Sequence, residues 1–344
     1  METGESCSKN SFDTVTTSLN WRAYNEAQTT EKLIFLDLLS ELCSYVPEEG
    51  ERKVGRPRAG LSNMVFACVS KVYEGLSSRR VTSDLEITRQ RGYLDHTPHF
   101  NTVLKYLNDP KLTPLLTSLI QLSALPLKDL EETFAIDASG LSSALYSRWL
   151  DYRLTGEKRY KDWIKVHLMC GVKTNIVTHI VVTDGQKHDS PIFPTLLKET
   201  AKNFNVKEVC ADKGYSGRIN VQTAWDMGIT PYILFRNNTV QKSRGASAWR
   251  NMFILFQDKN DFFMRKYHQR SNVESTFSML KRKFDGKLML KNEIGKTNEA
   301  LAKVLCHNIC VLIHEICSSG IDLNFNELAH KFPSLHIKEL SPTN

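Results

Sequence analysis

Tyr267, Arg270, Glu274 and Lys281 are three, four and seven residues apart within the segment Y-H-Q-R-S-N-V-E-S-T-F-S-M-L-K. At about 100° of rotation per helical residue, all four fall within an arc of roughly 60° on one helix face. One acid flanked by an aromatic and two cations on a single stripe suits holding a metal ion beside a phosphate. A stripe facing a core would be apolar. A helix starting near Met264 is expected to carry this face.

Two further acids follow short apolar runs that read as buried strands. Thr133-Phe-Ala-Ile-Asp-Ala138 places Asp137 after the first, and Val206 to Ala211 places Asp212 after a later one. Between them, Trp163 to Cys170 and Ile176 to Thr183 are β-branched or alternating runs around a turn at Gly171 to Asn175. Pro191 to Phe204 and Ser216 to Met227 read as helices, the first after the cap pair Asp189-Ser190. Ile229 to Phe235 completes the order β-β-β-α-β-α-β-α. That order is expected of a mixed five-stranded sheet flanked by helices, an α/β fold.

In such a sheet the first and fourth strands can lie side by side, so Asp137 and Asp212 would converge. A helix across that edge would add Glu274. Three carboxylates can hold two Mg²⁺ or Mn²⁺ ions, which prefer oxygen ligands. Such a pair serves in-line displacement at phosphorus. Each Asp alone reads first as a turn acid before Ser-Gly or Lys-Gly. The combination with Glu274 is what favours the metal site.

Ile136-Asp137-Ala-Ser-Gly140, Ala211-Asp212-Lys-Gly-Tyr215 and Tyr267-x2-Arg270-x3-Glu274-x6-Lys281 resemble the three catalytic motifs of insertion-sequence DDE transposases. The resemblance covers about residues 130–315 and implies a ribonuclease-H-like catalytic core. It implies that Asp137, Asp212 and Glu274 form the catalytic, metal-binding triad, and that Tyr267, Arg270 and Lys281 contact DNA near the cleaved phosphate. Arg270 offers a planar fork of donors and Lys281 a mobile point charge. Arg270 and Glu274 also have the spacing of an i,i+4 salt bridge. The implied activity is metal-dependent cleavage at transposon ends and strand transfer into target DNA, by a homodimer acting on terminal inverted repeats. A nuclease of the same fold that does not join ends, and a domesticated DNA-binding protein, are the alternatives. No Gly-rich phosphate loop follows the first strand, which disfavours a nucleotide-binding α/β enzyme.

Gly185-x2-His188-Asp189-Ser190 resembles another recurrent segment of that family, with either a capping or a catalytic use for Asp189. Lys53, Arg56 and Arg58, in K-V-G-R-P-R, resemble an AT-hook suited to an A·T-rich minor groove. Trp249 could stack on an unpaired base or pack in the core.

The whole chain has 344 residues, 41% of them hydrophobic and 24% charged, and a formal net charge of +7. Eight Lys or Arg stand against two acids between Arg265 and Lys291, a footprint suited to a polyanion. The eight cysteines form no C-x-x-C pair. Cys306, His307, Cys310, His314 and Cys317 sit among aliphatic residues, so buried thiols are expected there rather than a metal site. No secretory pattern is present at Met1 and no stretch is expected to cross a bilayer, giving a cytoplasmic, nucleoid-associated protein as the expectation. The domain boundaries expected are a disordered tail over 1–30, an all-α N-terminal domain over 31–125 for DNA binding or dimerisation, and a catalytic domain over 130–318. A short irregular insertion would lie at 236–262 and a C-terminal tail at 319–344.

Overall fold

The computed structural model describes residues 20–48, 59–143 and 163–321, with Arg153, Leu323 and Phe325. Among the described residues five helices come first: α1 (Trp21–Ser44), α2 (Leu61–Glu74), α3 (Thr82–Gln90), α4 (Phe100–Leu107) and α5 (Leu112–Ala124). α1 starts ten residues before Glu31, so the expected tail is helical from Trp21 onward. Asn20 caps it, its side chain accepting from the Ala23 N–H, and Ala23 and Ala27 are buried on the inner face. Small apolar residues hidden in a polar stretch gave little hydrophobic signal. α2 stops at Gly75, whose φ of 64° is left-handed and suits glycine.

The sheet is built from β1 (Thr133–Ser143), β2 (Trp163–Gly171), β3 (Val177–Asp184), β4 (Glu208–Ala211), β5 (Thr230–Ile233) and the short β6 (Lys287–Leu288). The order is β3-β2-β1-β4-β5, with β6 added beside the far end of β1. Among the described residues six strands therefore stand in place of the expected five. β6 is two residues long and escapes any periodicity test. β1 pairs antiparallel with β2 from Phe134↔Gly171 to Ser142↔Trp163, but parallel with β4 only from Thr133↔Glu208 to Ile136↔Ala211. Phe134, Ala135 and Ile136 are fully buried, as a central strand covered on both faces requires. α6 (Phe193–Ala201) and α7 (Arg218–Asp226) follow β3 and β4. This mixed sheet with flanking helices is a ribonuclease-H-like fold.

The expected irregular stretch 236–262 is mostly helical: α8 (Ser247–Asp258) leads into α9 (Asn260–Tyr267). Trp249, Phe253, Phe256 and Phe263 gather around Phe235, with ring centroids 4.9, 5.2, 5.5 and 6.3 Å away. The four- and three-residue spacing of the first three is a helix face. Trp249 is buried and donates its Nε1–H to the Val240 carbonyl, so it packs rather than presenting a stacking surface.

α10 (Ser271–Phe284) leads to β6, and α11 (Glu293–Ser319) closes the fold. α11 is long and apolar enough to cross a bilayer, which corrects the expectation that no segment would be. Its apolar surface is spent inside the protein, since every residue from Ala300 to Ile313 is buried, against α1, α2 and α5. Asn308 on this helix accepts from the Val177 N–H and donates to the Val177 carbonyl, at 2.9 and 2.8 Å. It thereby covers the backbone of the edge strand β3. Cys306 and Cys310 are buried in the same packing, and burial pushes both thiols up, Cys310 to about 12. His307 is also buried and bonds through Nε2 to the Asn175 carbonyl at 3.0 Å. Beyond α11, in the expected C-terminal tail, Phe325 is fully buried.

Candidate active site

Asp137 lies inside β1, not after it. β1 runs on because β2 pairs with it as far as Ser142, whereas β4 ends at Ala211 opposite Ile136. Asp137 and Asp212 are therefore the next residues on two adjacent parallel strands, at the point where those strands part. The sequence pattern located this point correctly but mistook the end of one pairing for the end of the strand. Asp137 Oδ1 accepts from the Ala138 N–H at 2.8 Å.

The helical stripe is not one α-helix. α9 ends at Tyr267, a 3₁₀ turn covers His268–Arg270, and α10 starts at Ser271. Tyr267, Arg270 and Ser271 all keep right-handed torsions, so the turn tightens the path without reversing it. Four side chains on this path reach the two strands or one another. Tyr267 Oη lies 3.5 Å from Asp212 Oδ1, and Lys281 Nζ donates to Ser139 Oγ at 2.6 Å. Arg270 donates to Asp137 Oδ2 at 3.3 Å and to Glu274 Oε1 at 2.6 Å. The i,i+4 pair with Glu274 thus exists, and the same guanidinium bridges to the strand acid.

Burial pushes the Asp137 carboxyl above the usual aspartate range, with Asp212 and Glu274 adding to it and the Ala138 N–H and Arg270 opposing. Among the described residues, no three His, Cys, Asp or Glu side chains are grouped closely enough to hold a metal ion. Arg270 lies between two of the candidate acids, one arm of its fork on Asp137 and the other on Glu274. The donor set itself fits a hard divalent cation: carboxylate oxygens from adjoining elements, with a positive group already bridging two of them.

Two other polar residues belong to this region, Asp189 and Tyr215. Asp189, at the entry to α6, pairs with Lys165 on β2 at 2.7 Å, and His167 Nδ1 is 3.6 Å away. A Cβ built on Gly214 would stand 4.0 Å from Oδ2 of both Asp189 and Asp212, so the two acids flank the same turn. The expected use of Asp189 as a side-chain cap is not observed. Tyr215 is buried with no hydrogen-bond partner for its hydroxyl, and burial, Asp189, Asp137 and Asp212 push its phenol well up. The only sequence signal was its place in Ala211-Asp212-Lys-Gly-Tyr215.

Two glycines of the quoted motifs have one steric cause. A Cβ on Gly140 would come 2.8 Å from the Trp163 ring, and one on Gly185 would come 2.6 Å from the same indole. Trp163 packs between them at the start of β2.

Six of the sequence-derived site residues, Asp137, Asp212, Glu274, Tyr267, Arg270 and Lys281, are thus brought to one place. Lys53, Arg56 and Arg58 lie outside the described residues.

The family model described as "Transposase DDE domain" matches residues 128–309, more than half of the chain. The match contains all six of these residues.

Proposed function

The chain belongs to the DDE transposase family, which cleaves DNA with the help of divalent metal ions, and from that premise we propose that it is a transposase cutting transposon ends and joining them to target DNA. The reading is supported most directly by the meeting of Asp137 and Asp212, at the parting of β1 and β4, with the Tyr267-to-Lys281 stripe. Asp137, Asp212 and Glu274 are the proposed ligands of two Mg²⁺ or Mn²⁺ ions. When bound, such a pair polarises the attacking oxygen and stabilises the leaving one.

The protein's own residues position the DNA. Arg270 now neutralises Asp137 and Glu274. Once those acids have another counter-charge, its fork is free to bind the oxygens of the scissile phosphate. Lys281, tethered to Ser139 two residues from Asp137, holds a second point of the backbone. Tyr267 orients Asp212 through its hydroxyl and presents its ring beside Arg270, whose guanidinium lies 5.9 Å from the ring centroid.

In the first step, water attacks the phosphorus at the transposon end, forming one P–O bond and releasing the 3′-oxygen as a hydroxyl. In the second, that hydroxyl attacks a target phosphodiester, and the target strand's 3′-oxygen leaves. The helices from α1 to α5 are proposed to bind terminal inverted repeats or to join two copies of the chain, with Lys53, Arg56 and Arg58 contacting the minor groove.

The test is to incubate the protein with the DNA ends that flank its gene and a target plasmid, with Mg²⁺ or chelator, and to sequence the products. Metal-dependent junctions between ends and plasmid support the reading. Cut ends without junctions would replace it with a nuclease.

A further inference from the structure

Behind the catalytic stripe lies a cavity of about 480 Å³ between the C-terminal end of α2 and the segment that joins α10 to β6. That size is ordinary for a ligand pocket. Lys71, Lys281, Arg282, Lys287 and Lys303 line it, together with Glu299. Lys71 and Lys303 are each only 3% exposed, so they are not members of a solvated surface face.

The charges inside do not balance. Glu299, 2% exposed, is the buried acid of the group. Its two oxygens already accept from the Met289 and Leu290 N–H groups, at 2.9 to 3.0 Å, and Lys303 stands 3.6 Å away. Lys303 is held further by the carbonyls of Asp285 and Lys287. Lys71 Nζ makes its closest polar contact with the Met289 thioether at 3.7 Å, a weak acceptor for an ammonium group. On the rim, Glu74 is paired with Lys32 at 2.8 Å and Lys283 with Glu31. Two buried ammonium groups therefore share one buried carboxylate, the exposed Asp285 adding its charge beside Lys303 and not Lys71, and burying an under-compensated charge is costly.

A second cavity, of about 380 Å³, shares Lys71 and Met289 and continues to Arg79. Ser78 opens on it, 6% exposed, with a hydroxyl that finds no partner. The first cavity adjoins the reaction centre through Lys281 on one side and through β6, which pairs with Ser142 and Ser143 of β1, and the second reaches it only through the Lys71 and Met289 they share.

We propose that Lys71, with Arg282 and Lys287 at the mouth, forms an anchoring site for a phosphate group of the DNA backbone away from the bond that is cut. This rests on the DNA-cleaving reading above and adds to it a contact outside the stripe. A free phosphate ion has the same chemistry, so the test separates the two sources.

The experiment measures binding of the full chain to a short fluorescent duplex of arbitrary sequence as a function of salt. Wild type is compared with Lys71→Met, Lys71→Arg and Lys287→Gln, each checked for a cooperative thermal transition. Lys71→Met and Lys287→Gln should each lower the slope of log K against log salt by about 0.9, one phosphate contact, and weaken binding by roughly tenfold. Lys71→Arg should keep the slope. Lys287 is exposed, so its variant remains informative if Lys71→Met does not fold. A steep wild-type slope left unchanged in Lys71→Met and Lys287→Gln would overturn this site while leaving the transposase reading intact. A wild type that does not bind duplex DNA at all would overturn that reading itself. Replacing chloride by inorganic phosphate at matched ionic strength should give no Lys71-dependent rise in Tm. A rise lost in Lys71→Met would assign the cavity to free phosphate and overturn the DNA contact.

Discussion

Arg270 Nη1 stands 3.3 Å from Asp137 Oδ2, so a residue of the 3₁₀ turn is tied to the central strand across the candidate reaction centre. The other arm of the same fork holds Glu274 at 2.6 Å. Arg270 therefore competes with any cation for these two acids.

Replacing it tests that competition. Arg270→Gln should bind Mn²⁺ several-fold more tightly in calorimetry, because both carboxylates lose their standing counter-charge. Cleavage should nevertheless fall by roughly 100-fold, the effect typical of losing a donor to the transition state. Unchanged Mn²⁺ affinity would show that the guanidinium does not guard the acids.

Trp163 explains Gly140 sterically. Gly140→Ala would drive a methyl group to 2.8 Å from the indole, and overpacking of this kind costs about 1–3 kcal/mol. The Tm of Gly140→Ala should fall by several degrees and its tryptophan emission should shift. An unchanged Tm would mean that the indole yields freely.

His307 makes stability depend on pH. Burial pushes its ring down to about 4, partly opposed by the bond to the Asn175 carbonyl, while in the unfolded chain it titrates near 6.5. Between those values the unfolded chain binds more protons. The contribution is therefore fully present above about pH 6.5 and is lost as the pH falls toward 4. The full loss is about 3 kcal/mol for this ring. Urea unfolding at pH 7 and pH 5 should show wild type weakening more than His307→Gln, by up to one proton's worth. His167 and His179, also pushed down to about 4 by burial, leave a residual dependence in that variant. Equal pH dependence in the two proteins would contradict a neutral His307.

Much of this architecture was legible because its signals are local. β1 and β4 each contain a short buried run that stops at an acid, and the positions of Tyr267, Arg270, Glu274 and Lys281 carry a helical period. What escaped depends on long-range pairing. Whether β1 ends at Asp137 or continues to Ser143 is decided by β2, and nothing within β1 announces it. The 3₁₀ turn at His268–Arg270 has a sequence that an α-helix would also accept. Asp189 reads as a cap until Lys165, 24 residues earlier, is seen beside it. The helical period of Trp249, Phe253 and Phe256 is local to α8 and legible in its sequence. α11 shows the opposite problem: its composition alone fits a bilayer as well as a core.

The central claim is that Asp137, Asp212 and Glu274 act on DNA as one metal-dependent site. The most direct measurement compares wild type with Glu274→Gln, which keeps the shape of the side chain and removes its charge. Both proteins would be assayed on one labelled transposon-end duplex, for binding and for Mg²⁺- or Mn²⁺-dependent cleavage. Glu274 is the most exposed of the bridged acids, at 55%, so the variant should fold normally. The expected result is binding within about twofold of wild type and cleavage lowered by at least about 1,000-fold, as for removal of an essential group that acts as part of a unit. Wild-type cleavage by Glu274→Gln would contradict the claim.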